Sequence, residues 1–206
     1  MKSEKELLKL AEKYGWSRFS ICENLPEKFI KKYQDKVEWY YISFYQKLSE
    51  KFIEKFKDRV DWYWISSEQK LSESFIEKFQ DKIDWNFISQ KQILSESFIE
   101  KYENRISWNI ISSYQRLSES FIEKFQDKVE WRWISSYQRL SESFIEKHEN
   151  MVNWYLISLF QKLSEDFILD NFSKISIYAL KQNEYFDFNN IKNTELKLLL
   201  ELRGEA

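Results

Sequence analysis

Tryptophan recurs at Trp16, Trp39, Trp62, Trp85, Trp108, Trp131 and Trp154, a step of 23 residues with no insertion or deletion, and the next place in the series holds Ile177. A fixed period of this kind marks an array in which each unit buries its apolar face against its neighbours, so the chain is a tandem repeat before it is anything else. The commonest unit reads L-S-E-x-F-I-E-K-F-x-D-K-V-x-W-x-x-I-S-x-x-Q-x and begins at Leu25, Leu48, Leu71, Leu94, Leu117, Leu140 and Leu163. One period before Pro26 stands Ser3, followed by Glu4, Leu7, Leu10, Tyr14 and Trp16, so the amino terminus is a worn copy of the same unit.

The unit carries two helix signals. Phe75, Ile76, Phe79 and Ile83 recur at helical spacing, Ser72 stands where an N-cap is needed and Glu73 sits in the first turn. A second segment, opened by Asp84, places Trp85, Ile88 and Gln92 on one face, with Phe87 at its flank. A first helix of about 10 residues and a second of about 8 leave about 5 for two tight turns. Helices this short are marginal alone, so stability must come from stacking, and the tryptophans are expected in a buried aromatic spine. On that reading Trp85→Ala costs about 3 to 5 kcal/mol and Trp16→Ala less.

The fold expected is all-α: a right-handed-type α-solenoid of about eight short two-helix repeats over residues 1–185, without an internal domain boundary, closed by a C-terminal capping helix in 186–206. In that cap Leu196, Leu199 and Leu200 would cover the last apolar face, with Arg203 in the last turn and Gly204 as the stop. The rival is a β/α solenoid, because Val37, Trp39 and Tyr41 alternate as a half-buried strand does. Against it, the L-x-x-L-x-L strand signature is missing and the isoleucine after each tryptophan stands at helical i+3 spacing.

Lys and Arg number 32 against 34 acidic residues, a formal net charge of −2, and the balance repeats within units rather than between halves. No apolar run approaches a membrane span, and Met1 to Lys13 alternates charges with leucine, so neither a span nor a cleaved leader is expected. The single cysteine, Cys22, and single histidine, His148, form no disulfide framework or metal cluster within one chain, and a cytoplasmic setting fits. No cofactor is expected.

The string from Leu117 to Ser135 resembles the repeat of uncharacterised tandem-repeat proteins from giant, mimivirus-like viruses and AT-rich microbes, and the likeness covers about Leu25 to Ile168. The resemblance implies the repeat type and is compatible with a viral or phage source, in which case the setting would be a host cytoplasm, but brings no activity and no catalytic residue.

Functional readings follow from what varies and what repeats. Glu77 with Asp81, and likewise Glu54 with Asp58 and Glu123 with Asp127, are carboxylate pairs at i and i+4, but an active site has no need of copies in unit after unit. They read as solvated stripes beside a basic stripe of Lys78 with Lys82, Lys55 with Arg59 and Lys124 with Lys128, and no enzyme is expected. The recurring Gln46, Gln69, Gln92, Gln115, Gln138 and Gln161 are expected to bind neighbouring backbone. The surface expected to recognise a partner consists of places that change inside the fixed frame: Tyr40, Tyr63, Asn86, Asn109, Arg132 and Tyr155 after each tryptophan, with Phe44, Tyr114 and Tyr137 beside them. The expected function is a non-enzymatic scaffold binding another protein, as adaptor or inhibitor, in a viral setting by blocking a host factor. One alternative is a nucleic-acid-binding superhelix using the ladder Lys47, Lys70, Arg116, Arg139 and Lys162, broken by Ile93, although a pI near 5.7 argues against it. The other is a structural protein that self-assembles through open solenoid ends.

Overall fold

The computed structural model describes residues 2–22 and 24–202, the side chain of Cys22 excepted; the expected helix stop at Arg203 and Gly204 lies outside the described residues. Every regular element among the described residues is helical, so the all-α reading holds and the segments bearing the indoles are not strands. No helix among these residues is long and apolar enough to cross a membrane. Two compact units are distinguished, Met1–Ile106 and Ser107–Ala206.

The first unit holds α1 (Glu4–Tyr14), α2 (Trp16–Cys22), α3 (Glu27–Lys32), α4 (Trp39–Tyr45), α5 (Glu50–Lys55), α6 (Trp62–Glu68), α7 (Glu73–Lys78), α8 (Trp85–Lys91) and α9 (Glu96–Lys101). Within it the second helices of successive repeats, α2, α4, α6 and α8, pack side by side. The second unit holds α10 (Trp108–Tyr114), α11 (Glu119–Lys124), α12 (Trp131–Tyr137), α13 (Glu142–Lys147), α14 (Trp154–Phe160), α15 (Glu165–Asp170), α16 (Ile177–Leu180) and α17 (Thr194–Leu202). There α10, α12, α14 and α16 pack in the same way. Each unit is thus solenoid-like on its own.

The caps set these short lengths. Ser72 Oγ accepts a hydrogen bond from Phe75 N at 3.2 Å and opens α7. The first helix is six residues rather than about ten, because Phe79 leaves helical geometry at φ −115°. The chain then winds through turns in which Lys82 N and Ile83 N both donate to Phe79 O, returning Ile83 to the core. Asp84 Oδ1 accepts from Asn86 N and Phe87 N, opening α8 as the sequence suggested. In the first repeat α1 runs 11 residues and meets α2 through Gly15 alone, at φ 82°, a left-handed geometry for which glycine is the ordinary residue.

The aromatic spine needs correction. The deepest side chains are two isoleucine series, Ile53, Ile65 and Ile76 among them in the first unit and Ile122, Ile134 and Ile145 in the second, at most 1% exposed. The tryptophans are only half-buried. Trp62 lies 24° from parallel to Phe75 and 4.9 Å from Phe79, both in the following repeat, while its Nε1 donates to Lys57 O at 2.9 Å in its own. The indole is therefore a bolt at the edge of the core, fixed in one repeat and packed on the next. Trp131 does the same with Phe144 and His148.

His148 fills a slot that holds Phe125 one repeat earlier. It is buried, 4.4 Å from the Phe144 ring, and its Nε2 is a buried polar atom without a partner. An orphaned polar atom costs about 1 to 3 kcal/mol, so His148→Phe should raise stability by about 1 to 2 kcal/mol in urea melts.

At the end of the second unit the pattern shortens. Helix α16 has four residues, and α17 packs on α15 with Leu196 and Leu200 fully buried and Leu199 half-buried. Asn193 Oδ1 accepts from Leu196 N, and Glu165 accepts from the amides of Lys192 and Asn193, so Asn193 serves α17 as the repeat serines serve the first helices.

Candidate recognition surface

The recognition surface can be located only after removing what the frame uses. Gln69 Oε1 accepts from Leu48 N at 2.9 Å in its own repeat, while Nε2 donates to Ser43 O and Gln46 O of the preceding one at 3.1 and 2.8 Å. Gln138 does the same in the second unit, with Leu117 N, Ser112 O and Gln115 O. These glutamines are about as buried as the leucines they serve and are committed to backbone. At α16 the sequence slips by one place and Asn183 takes over, its Nδ2 donating to Ser158 O and Gln161 O at 2.8 Å. A serine series works alongside: Ser66 Oγ donates to Trp62 O and accepts from Asp84 N of the next repeat, and Ser135 links Trp131 O to Asn153 N.

The charged stripes are also committed. Glu54 pairs with Lys78, Asp58 with Lys82, Glu77 with Lys101 and Asp81 with Arg105, each acid meeting a base of the following repeat. In the second unit Lys147 holds the Glu123 carboxyl below the usual carboxylate range by a hydrogen bond. The carboxylate pairs therefore hold cations rather than face each other across a cleft. Such pairs are exposed and screened by solvent, so they set register more than stability. Among the described residues no group of three or more His, Cys, Asp or Glu could hold a metal ion.

What remains is the outer face of the second helices. Tyr40, Tyr63 and Tyr155 are about half exposed, at 51%, 50% and 45%, and Asn86, Asn109 and Arg132 are exposed beside their own tryptophans. Phe44 is half-buried; Tyr114 and Tyr137 are among the most exposed rings, at 59% and 61%. In the first unit these residues join a cluster: Tyr40 and Phe44 meet Trp64 edge-on at 5.7 and 4.3 Å, and Tyr63 meets Phe87 at 4.9 Å and 88°. In the second unit Trp133 Nε1 donates to Asn109 Oδ1 at 2.8 Å, the Arg132 guanidinium lies 5.3 Å from the Trp133 ring, and Trp133 stands 5.7 Å from Tyr137. Asn109, Ser113, Tyr114, Trp133 and Tyr137 line an open groove of about 340 Å³ there.

Two of these residues escaped the sequence reading. Trp64 and Trp133 stand two places after the periodic indoles, in a series with Tyr41, Phe87, Ile110 and Leu156 that is apolar from the second repeat to the seventh, with Arg18 in the worn first copy. They are the only tryptophans outside the 23-residue step, a signal that the step itself obscured.

The basic ladder occupies the turn after each second helix. Lys47, Lys70, Arg116, Arg139 and Lys162 are exposed and make no ion pair among the described residues, unlike the cations of the first helices, and Ile93 in the same series is 97% exposed. Within the second unit the segments 107–116, 130–139 and 153–162 carry Arg116, Arg132, Arg139 and Lys162 against one acid, Glu130. The outer face of these helices is thus aromatic and cationic. Comparison with protein-family models, curated proteins and solved structures gives no match for this chain.

Proposed function

We propose that the chain is a non-enzymatic repeat scaffold that binds another protein along the outer face of its second helices, as an adaptor or inhibitor. The observation that carries this reading is the aromatic cluster of the first unit. Tyr40, Tyr63, Trp64 and their neighbours leave large rings in water although isoleucine, leucine and glutamine already close the frame. Partly exposed aromatics, joined in the second unit by Arg132 beside Trp133, are the composition of surfaces on which a few residues carry most of the binding energy. The resemblance to repeats of giant viruses gives this a specific form, the blocking of a host factor.

Affinity capture from host extract tests it. The intact chain should retain a defined protein that is lost when Tyr40, Tyr63, Arg132 and Tyr155 are all changed to Ser, with the melting temperature held within a few degrees of the original because these positions are exposed. Undiminished capture by the quadruple variant removes the reading. The unpaired basic ladder favours a second one, binding of single-stranded nucleic acid, which requires a mobility shift that weakens with salt and on neutralising Arg116 and Arg139.

A further inference from the structure

The second unit holds a second groove, which shares Tyr137 with the one beside Trp133 and is mixed rather than apolar in its chemistry. It measures about 430 Å³, within the range of clefts that hold a ligand, and runs between the ends of α12 and α14. Tyr137, Phe160 and Tyr185 supply rings, at 61%, 46% and 55% exposure, and Arg139 and Lys162 supply two positive charges. Gln138 and Gln161 also line it but are spent on backbone.

The two cations are not explained by the fold. Neither makes an ion pair among the described residues, whereas Lys147 and Lys174 on the first-helix side are paired with Glu123 and Glu149. Nor are they needed to satisfy the end of α12, because Ser135 O and Gln138 O already accept from Gln161 Nε2 at 2.9 and 2.8 Å. Two unpaired cations one repeat apart, in one groove with three rings, complement a ligand that carries both negative and apolar groups.

We infer that this groove binds an acidic, extended peptide segment of the protein partner, with Arg139 and Lys162 pairing to its carboxylates and the Tyr137, Phe160 and Tyr185 rings receiving the apolar side chain between them. The inference rests on the protein-binding reading and gives it a ligand class. Arginine presents a planar fork that matches a carboxylate, and an extended segment alternates its side chains as such a groove requires.

A phage-displayed library of random dodecapeptides, panned on the intact chain, tests the assignment. Retained sequences should be enriched in Asp and Glu next to Leu, Phe or Tyr. Synthetic peptides of those sequences, measured by fluorescence anisotropy, should bind roughly 10-fold or more weakly to the double variant Arg139→Gln with Lys162→Gln, and weaken also with Phe160→Ser. No acidic enrichment, no retained peptide, unchanged affinity in the double variant, or tighter binding of a 20-nucleotide oligothymidylate than of any peptide overturns it. A partner captured from extract that is lost with the quadruple outer-face variant yet kept by the double variant removes this groove while leaving the scaffold reading intact.

Discussion

Gln138→Leu lowers the unfolding free energy by about 3 to 5 kcal/mol, an expectation set by the cost of leaving buried backbone groups without partners. The side chain is 5% exposed and meets three such groups: Leu117 N donates to it, and Ser112 O and Gln115 O accept from it. Leucine fits the volume but supplies no acceptor and no donor, so three buried backbone groups lose their partners at once. Because the amide joins its own repeat to the preceding one, the damage falls on the coupling between repeats, which is where short helices obtain their stability. Urea denaturation followed by far-ultraviolet circular dichroism measures it; a loss below about 1 kcal/mol would place the glutamine among dispensable surface contacts.

The second large effect concerns isoleucine rather than the conspicuous tryptophan. Ile134 is fully buried in α12, which packs between α10 and α14, and Ile134→Ala should cost about 3 to 5 kcal/mol through lost burial and the cavity left behind. Trp131→Ala removes a larger side chain from a half-exposed site whose ring has one face against Phe144 and His148, and should cost about 2 to 3 kcal/mol. The order of the two, Ile134 above Trp131, is the decisive part. The reverse order in paired urea melts would restore the tryptophans to the centre of the core.

Much of this was legible in the residues. Period, helix content, serine caps and the role of glutamine follow from spacing and from elementary hydrogen-bond needs, because each repeats often enough to separate rule from accident. The depth of the indoles was not legible. Spacing places Trp85 and Ile88 on the same side of a helix, but which of two neighbours faces inward depends on where the adjacent repeat lies, and nothing local encodes that. The length of the first helix was overestimated for a related reason: Phe79 and Ile83 keep helical spacing while the backbone between them has already turned. On the outer face, Tyr40, Tyr63 and Arg132 stand out as varying places, whereas Trp64 and Trp133 belong to a series that is apolar in six successive repeats and resembles core. The groove beside Arg139 and Lys162 could not have been found from spacing, since Tyr185 enters it from the segment where the repeat gives out.

Amide hydrogen exchange at the repeat leucines bears most directly on the claim that polar bolts between repeats hold the frame and leave the outer face free. Leu25, Leu48, Leu71, Leu117 and Leu140 lie between helices, where amides ordinarily exchange fast, yet each donates to a buried glutamine at 2.8 to 3.2 Å. In a sample labelled at leucine and isoleucine the Leu48, Leu71, Leu117 and Leu140 amides should exchange as slowly as those of the buried isoleucines, and Gln138→Leu should release Leu117 first. Exchange at the rate of open turns, in the unaltered chain, would contradict the account.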